Sequence, residues 1–240
     1  MKGIVVFIIF ISLMGCRKSL ENEMTNIDTV KINFPAGTQT YLALGDSYTI
    51  GEAVAESQSF PYQLAAAMNK QGLQISAPTI IAQTGWTTGE LKLAVQAAAL
   101  TSKFDMVTLL IGVNNQYRGE SIDIYRTEFK ELLQTAINFA GGQVTHVFVI
   151  SIPDWGATPF GLASGKGQQN ISTAIDAFNA VNFDEATKAG VNYTNITPES
   201  RNAASSPGLI AADGLHPSNK MYQDWVSLLS PAVTQIFQVK

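Results

Sequence analysis

The sequence predicts an α/β fold, a three-layer α/β/α sandwich around a mainly five-stranded parallel sheet. Two observations carry this reading. From residue 40 onward, short apolar runs alternate with segments whose apolar residues recur every three or four positions, as when strands alternate with amphipathic helices. Each strand-like run is also too uniformly apolar to leave a face in water, which requires helices on both sides of the sheet. With 240 residues, 46% of them hydrophobic, and no internal repeat, one domain accounts for this region.

Residues 41–44 (YLAL) form the first strand and stop at Gly45-Asp46. A helix follows over residues 60–70, with Pro61 tolerated in its first turn. The second strand covers residues 78–82 around Thr79-Ile80-Ile81. Thr87 and Glu90 have capping-box spacing and open a helix to about residue 100, with Leu91, Val95 and Ala98 on one face. Residues 106–111 give a third strand that closes on Gly112. The clearest helix is marked by Ile122, Tyr125, Phe129, Leu132, Leu133 and Ala136, and Gly141-Gly142 ends it. Residues 146–152 (HVFVISI) form a fourth strand halted by Pro153, and Ile171, Ile175, Phe178 and Val181 stripe a fourth helix. A short fifth strand over residues 191–196 leads into an irregular segment over residues 197–217. The last helix carries Met221, Trp225, Leu228 and Leu229, and Pro231 is expected to interrupt or kink it after Ser230. The whole is a flavodoxin-like arrangement, in which ligands sit beyond the carboxyl ends of the strands. Function is therefore expected just after residues 45, 82, 111, 152 and 196.

Ahead of this domain, Lys2 precedes an apolar run over residues 4–13, a secretory leader too short to span a membrane. Leu13-Met14-Gly15-Cys16 then resembles the lipobox of bacterial lipoproteins, in which the chain is cut before the cysteine and the thiol takes diacylglycerol. The single cysteine of the chain falls at that position, which favours lipid attachment at Cys16 over an ordinary signal peptide. The expected organisation is a signal peptide over residues 1–15, a lipidated Cys16 with a flexible tether over residues 16–39, and a folded domain over residues 40–240. Such a protein belongs to the bacterial cell envelope, lipid-anchored to a membrane and facing the periplasm or the cell surface.

A formal charge of −4 argues against nucleic acid as a partner, because a polyanion does not attract an acidic surface. No His/Cys group has metal-ligand spacing, and neither a metal nor a cofactor is expected. The glycine-rich stretch over residues 161–167 (GLASGKG) fails phosphate-loop spacing, since position 160 is Phe and position 167 is Gly. A Gly-x-Ser-x-Gly elbow is likewise absent around Ser47. With Cys16 committed to lipid, the two histidines, His146 and His216, are the candidates for a base at neutral pH. His146 begins a strand, belongs to no motif and reads as structural.

Four blocks stand at or near the strand ends: Gly45-Asp46-Ser47-Tyr48-Thr49-Ile50-Gly51-Glu52, Thr84-Gly85-Trp86-Thr87, Gly112-Val113-Asn114-Asn115, and Asp213-Gly214-Leu215-His216-Pro217. A serine hydroxyl is a poor nucleophile until a base takes its proton, so Ser47 needs an imidazole, and the parallel sheet can bring His216 to it. Asp213, on the same turn as His216, is placed to accept the other imidazole N–H and to stabilise the imidazolium.

The four blocks in this order resemble the SGNH hydrolases, also called the GDSL esterase/lipase family, from about residue 41 to the C-terminus. The resemblance implies a carboxylic ester hydrolase with a Ser-His-Asp triad of Ser47, His216 and Asp213. It also implies an oxyanion hole made by the backbone N–H of Ser47, the backbone N–H of Gly85 and the side-chain amide of Asn114. Glycine suits position 85, because a side chain there would hold the backbone away from the substrate. The substrate class implied is a small ester cleaved through an acyl-enzyme. O-acetylated carbohydrate, lysophospholipid and aryl esters all fit, and acyl transfer and thioester cleavage share the same intermediate. The family usually has Asp where this chain has Asn115, which leaves the bracing of that loop open. Tyr48, Trp86, Tyr117 and Trp155 also follow strand ends, either as a platform for a sugar ring or acyl group or, the favoured reading, as rim packing. Asp154, beside Pro153, is assigned no role. Two rival readings stand beside the enzyme: a non-catalytic surface glycan-binding lipoprotein on a degenerate hydrolase fold, and a receiver-like module with Asp46 as its acidic pocket residue.

Overall fold

The computed structural model describes residues 39–238; the leader, Cys16 and the rest of the expected tether lie outside them. Five strands, β1 (Tyr41–Asp46), β2 (Thr79–Gln83), β3 (Met106–Leu110), β4 (Val147–Ile150) and β5 (Asn192–Thr194), form one parallel sheet in the order β2-β1-β3-β4-β5. Nine α-helices are found among the described residues: α1 (Ser47–Ile50), α2 (Phe60–Lys70), α3 (Thr88–Ala98), α4 (Val113–Arg118), α5 (Ile122–Phe139), α6 (Pro159–Ala163), α7 (Gln168–Ala189), α8 (Thr197–Ser200) and α9 (Asn219–Phe237). The first crossover runs from β1 out to β2, and every later one runs the other way. Right-handed connections therefore put α2 on one face and α3, α5 and α7 on the other. The packing agrees: α9 lies against α2, and α5 lies against both α3 and α7. This is the expected three-layer, flavodoxin-like sandwich.

The inner strands β1, β3 and β4 are buried along their whole length. The edge strands are not: β2 is exposed at both ends and β5 is only partly covered, so the expectation that no strand meets water fails at the sheet edges. The predicted stripe on α7 is buried, as are Tyr125, Phe129, Leu132, Leu133 and Ala136 of α5. Three residues depart from their predicted faces. Ile122, the first residue of α5, is exposed. Ala98 is exposed beside the left-handed end of α3, and Leu228 is exposed because Leu229 takes the core position of α9.

Pro231 does not interrupt α9, which continues to Phe237. Pro231 and Ser227, whose carbonyl loses its helical donor, are both exposed, so water satisfies that carbonyl, while Leu229 and Val233 on either side are buried. The segment over residues 197–217 is also more ordered than expected, with α8 and two 3₁₀ turns. His146 closes a 3₁₀ turn ahead of β4. Its Nδ1 lies 2.7 Å from the Asp105 carbonyl oxygen and its ring packs on Phe237, a structural placement.

Register fixes where the functional loops emerge. Gly45 of β1 stands opposite Ala82 of β2 and Leu110 of β3, so the segments after residues 46, 83 and 110 leave the sheet at one level. They do so where the strand order reverses, at the switch point between β1 and β3. The last helix is drawn to the same end, because Gln63 Nε2 of α2 donates to Asn219 at the start of α9, 2.8 Å to Oδ1 and 3.2 Å to the carbonyl.

Candidate active site

Three consecutive residues turn the chain at the end of β1. At Gly45 a Cβ would lie 2.1 Å from Thr49 Oγ1 and 2.4 Å from the Leu110 carbonyl oxygen, so only glycine lets β1 pass into α1 against β3. Asp46 caps α1, its Oδ1 accepting the Tyr48 N–H at 3.0 Å, and Gly51 ends the helix in the left-handed conformation at φ 80°. Ser47 is thereby held as the first residue of a tight helical turn, nearly buried. Asp46 lies fully buried beneath it. Burial pushes its carboxyl up to about 7, against the opposing pull of the Tyr48 N–H. It serves as a cap, not as the acidic pocket residue of the receiver-like reading.

Asp213 divides its oxygens between backbone and side chain. Oδ1 accepts the N–H groups of Leu215 and His216 at 2.9 and 3.0 Å, which closes the turn, while Oδ2 lies 2.5 Å from His216 Nδ1. Burial pushes the Asp213 carboxyl up, but the His216 imidazole and the two backbone donors outweigh it and hold it below the usual carboxylate range. An ionised Asp213 is an acceptor only, so this contact suits the tautomer in which Nδ1–H donates to Oδ2 and Nε2 is left as the free nitrogen. Gly214, at φ 75°, allows the reversal between the pair, and its carbonyl accepts the Phe160 N–H at 2.9 Å.

The second and third blocks meet beside them. Gly85 is left-handed at φ 85°, and Asn114 Nδ2 donates to the Trp86 carbonyl at 3.0 Å. Asn115 is fully buried and resolves how this loop is braced. Its Oδ1 accepts the Thr88 N–H at 3.1 Å, and its Nδ2 donates to Thr88 Oγ1 at 2.7 Å and Glu120 Oε2 at 2.8 Å. The amide ties α4 to the start of α3, and its donation to a carboxylate is a role Asp cannot fill when ionised.

Ser47, Gly85, Asn114 and His216 line one cavity of about 200 Å³, with Asp213 behind His216. The rest of the wall is largely apolar: Tyr48, Val113, Tyr117, Trp155, Phe160 and Leu215 contribute to it. Trp155 is anchored by its Nε1, which donates to Gln116 Oε1 at 2.7 Å, and the Tyr117 ring meets it edge-on at 5.3 Å. Of the four strand-end aromatics, Tyr48, Tyr117 and Trp155 line the cavity, while Trp86 is partly buried against the core. Asp154 is buried, caps a 3₁₀ turn through Gly156 N–H at 2.9 Å and pairs with Arg201 at 2.8 Å. Sequence reasoning missed Phe160, gave Leu215 no role, and did not foresee that residues 113–118 form the helix α4. The bracket of Gly112 and Gly119, both at positive φ, was the available signal for that short helix. Among the described residues, no group of three His, Cys, Asp or Glu side chains is placed to hold a metal ion.

A doubly wound sheet whose switch-point cavity gathers a serine, a carboxylate-held histidine, a left-handed glycine and a carboxamide defines an ester hydrolase. More particularly, the chain belongs to the GDSL-like lipase/acylhydrolase family, which matches it over residues 43–223. No curated protein matches its sequence. Among solved structures, a lipase/acylhydrolase from Enterococcus faecalis is 19% identical with a TM-score of 0.66, over 84% of this chain and 98% of that one. An acetylxylan esterase from Geobacillus stearothermophilus is 15% identical with a TM-score of 0.62, over 85% and 96% of the two chains. A psychrotrophic esterase from Pseudoalteromonas sp., in a structure inhibited by monoethylphosphonate, is 15% identical with a TM-score of 0.63, over 83% and 99%. At these identities the likeness is one of fold.

Proposed function

We propose that this chain is a serine esterase of the cell envelope that cleaves carboxylic esters through an acyl-enzyme on Ser47. One observation carries the proposal: Ser47 and His216 line the same cavity, and Asp213 holds His216 by Nδ1 so that Nε2 is free to act on the serine. In this mechanism Nε2 takes the Ser47 proton as Oγ attacks the ester carbonyl, and Asp213 stabilises the imidazolium. The tetrahedral oxyanion is received by the backbone N–H groups of Ser47 and Gly85 and by the Asn114 amide. The imidazolium then protonates the leaving alcohol. Water, deprotonated by the same nitrogen, releases the acid and restores Ser47.

The apolar wall supports an ester with an uncharged apolar limb. The cavity is small, about 200 Å³. That favours short aliphatic or aryl esters over a long acyl chain buried whole. Localisation follows the lipobox reading, with residues 1–15 removed and Cys16 lipidated in front of the domain. Among the described residues, no helix is long and apolar enough to cross a membrane.

The test is turnover of p-nitrophenyl acetate and butyrate with phosphonate labelling. Ser47→Ala and His216→Ala should each abolish turnover, the double variant should be no worse than either single one, and the label should map to Ser47. Label on another residue overturns the assignment, and no turnover of any ester with an unlabelled Ser47 turns the reading to a non-catalytic glycan-binding lipoprotein. For the anchor, Cys16→Ser should release the protein from the membrane fraction; retention there defeats the lipid reading.

A further inference from the structure

We propose that Arg118 is a positioning residue: by holding the Gly85 carbonyl it fixes the backbone conformation of Gly85, and so the direction in which the Gly85 N–H, one peptide earlier, faces the reacting carbonyl. The proposal rests on the esterase reading above. Gly85 reaches its left-handed conformation at φ 85° because it lacks a Cβ, and the same lack leaves it without packing to hold it there. A Cβ built at this position would find only one atom within 4 Å, the Arg118 Nη2 at 3.8 Å. The loop is fixed by hydrogen bonds instead: the Trp86 N–H donates to the Gln83 carbonyl at 3.3 Å, Thr84 Oγ1 donates to Glu52, and α4 supplies two more. Arg118 Nη2 donates to the Gly85 carbonyl at 2.6 Å, and Asn114 Nδ2 donates to the next carbonyl, Trp86, at 3.0 Å.

The guanidinium is itself oriented. Its Nη1 donates to Glu90 Oε1 at 3.2 Å, while Glu90 Oε2 accepts the Thr87 N–H at 2.8 Å. A planar fork that reaches a carbonyl with one nitrogen and a carboxylate with the other is a geometry lysine cannot copy with a single point charge. Two successive peptides, Gly85–Trp86 and Trp86–Thr87, are thereby held from outside the loop. Arg118 does not line the cavity, so it acts through Gly85 and not on the substrate.

The Arg118–Glu90 pair is solvent-exposed, with side-chain exposures of 45% and 43%, and such pairs add little to global stability. Arg118→Ala should therefore fold normally, with a circular-dichroism melt close to that of the wild type. Its effect should fall on kcat, by about tenfold, a part of the roughly 10²–10³ that a whole oxyanion donor supplies. KM should stay within about twofold, and Arg118→Lys, which can reach the Gly85 carbonyl but cannot hold Glu90 in the same fork, should recover kcat only in part, to about threefold below the wild type.

The decisive readout does not depend on turnover. In full-length protein labelled with [15N]glycine, the Gly85 amide should shift or broaden in Arg118→Ala, while Gly72, after α2, stays in place. A displaced Gly85 amide with lowered kcat supports the proposal. An unmoved amide, or a moved amide with kcat within twofold of the wild type, overturns it. Failure of the esterase reading registers separately, as loss of phosphonate labelling at Ser47, and the amide resonance still reports whether Arg118 holds the loop.

Discussion

Asn115 offers a sharp test of how the third block is built. Replacing it by Asp exchanges an amide that donates to Glu120 Oε2 at 2.8 Å and Thr88 Oγ1 at 2.7 Å for a carboxylate with nothing to donate. Two like charges about 3 Å apart repel by about 5 kcal/mol at an effective dielectric near 20. Uptake of a proton by the pair and movement of the partly exposed Glu120 reduce this, while the lost buried hydrogen bonds add about 1–3 kcal/mol. A net loss of about 3 kcal/mol is expected at pH 7, or about 6–12 °C in Tm for a domain of this size. The sign with pH is fixed: the new pair holds a proton more tightly when folded than when unfolded. Its penalty therefore develops as pH rises above the unfolded carboxylate range near 4 and shrinks again on acidification. Thermal unfolding followed by circular dichroism at pH 7 and pH 4.5 measures both effects. Adding Glu120→Gln to the Asn115→Asp variant should restore most of the lost stability, because a glutamine amide can donate to the carboxylate introduced at position 115. Asn115→Asp as stable as the wild type at pH 7, or a double variant no better than the single, refutes the reasoning.

Two further outcomes follow from the same site. Asp46→Asn keeps the capping oxygen for Tyr48 N–H but removes a buried carboxyl raised to about 7 from its ordinary value of 3.8. The folded wild type binds the extra proton, so this group's contribution is full below about 4 and is lost as pH rises through about 7; unfolding titrations should show the variant flatter across that window. Asn114→Ala should lower kcat on p-nitrophenyl butyrate by about 10²-fold with little change in Tm, and an activity within threefold of the wild type would remove the amide from the oxyanion hole.

Much of this architecture is legible in the sequence because it rests on periodicity. The helix expected over residues 60–70 is α2 to the residue, and the stripes of α7 and, from Tyr125 on, of α5 face the core as their spacing requires. The blocks Gly45-Asp46-Ser47, Gly85, Asn114 and Asp213-Gly214-Leu215-His216 are legible because glycines and turn-forming residues are needed where strands end against a cavity. What escapes is what periodicity cannot encode. The helix α4 is only six residues long, too short to display a stripe. Pro231 survives within α9 because the carbonyl it strands faces water, a fact of solvent position and not of local propensity. The exposure of β2 depends on its place at the sheet edge, which an apolar run of Ile80 and Ile81 does not reveal. The bracing by Asn115 and Arg118 joins segments whose partners only the folded chain brings into reach.

The tie between Gln63 and Asn219 bears on biosynthesis. The serine lies on the first crossover, and the turn that carries His216 leads directly into α9, which docks onto α2. Under the proposed roles, a nascent polypeptide whose sheet has formed but whose α9 has not yet emerged has no working nucleophile. Chemistry switches on only after α9 has settled into place.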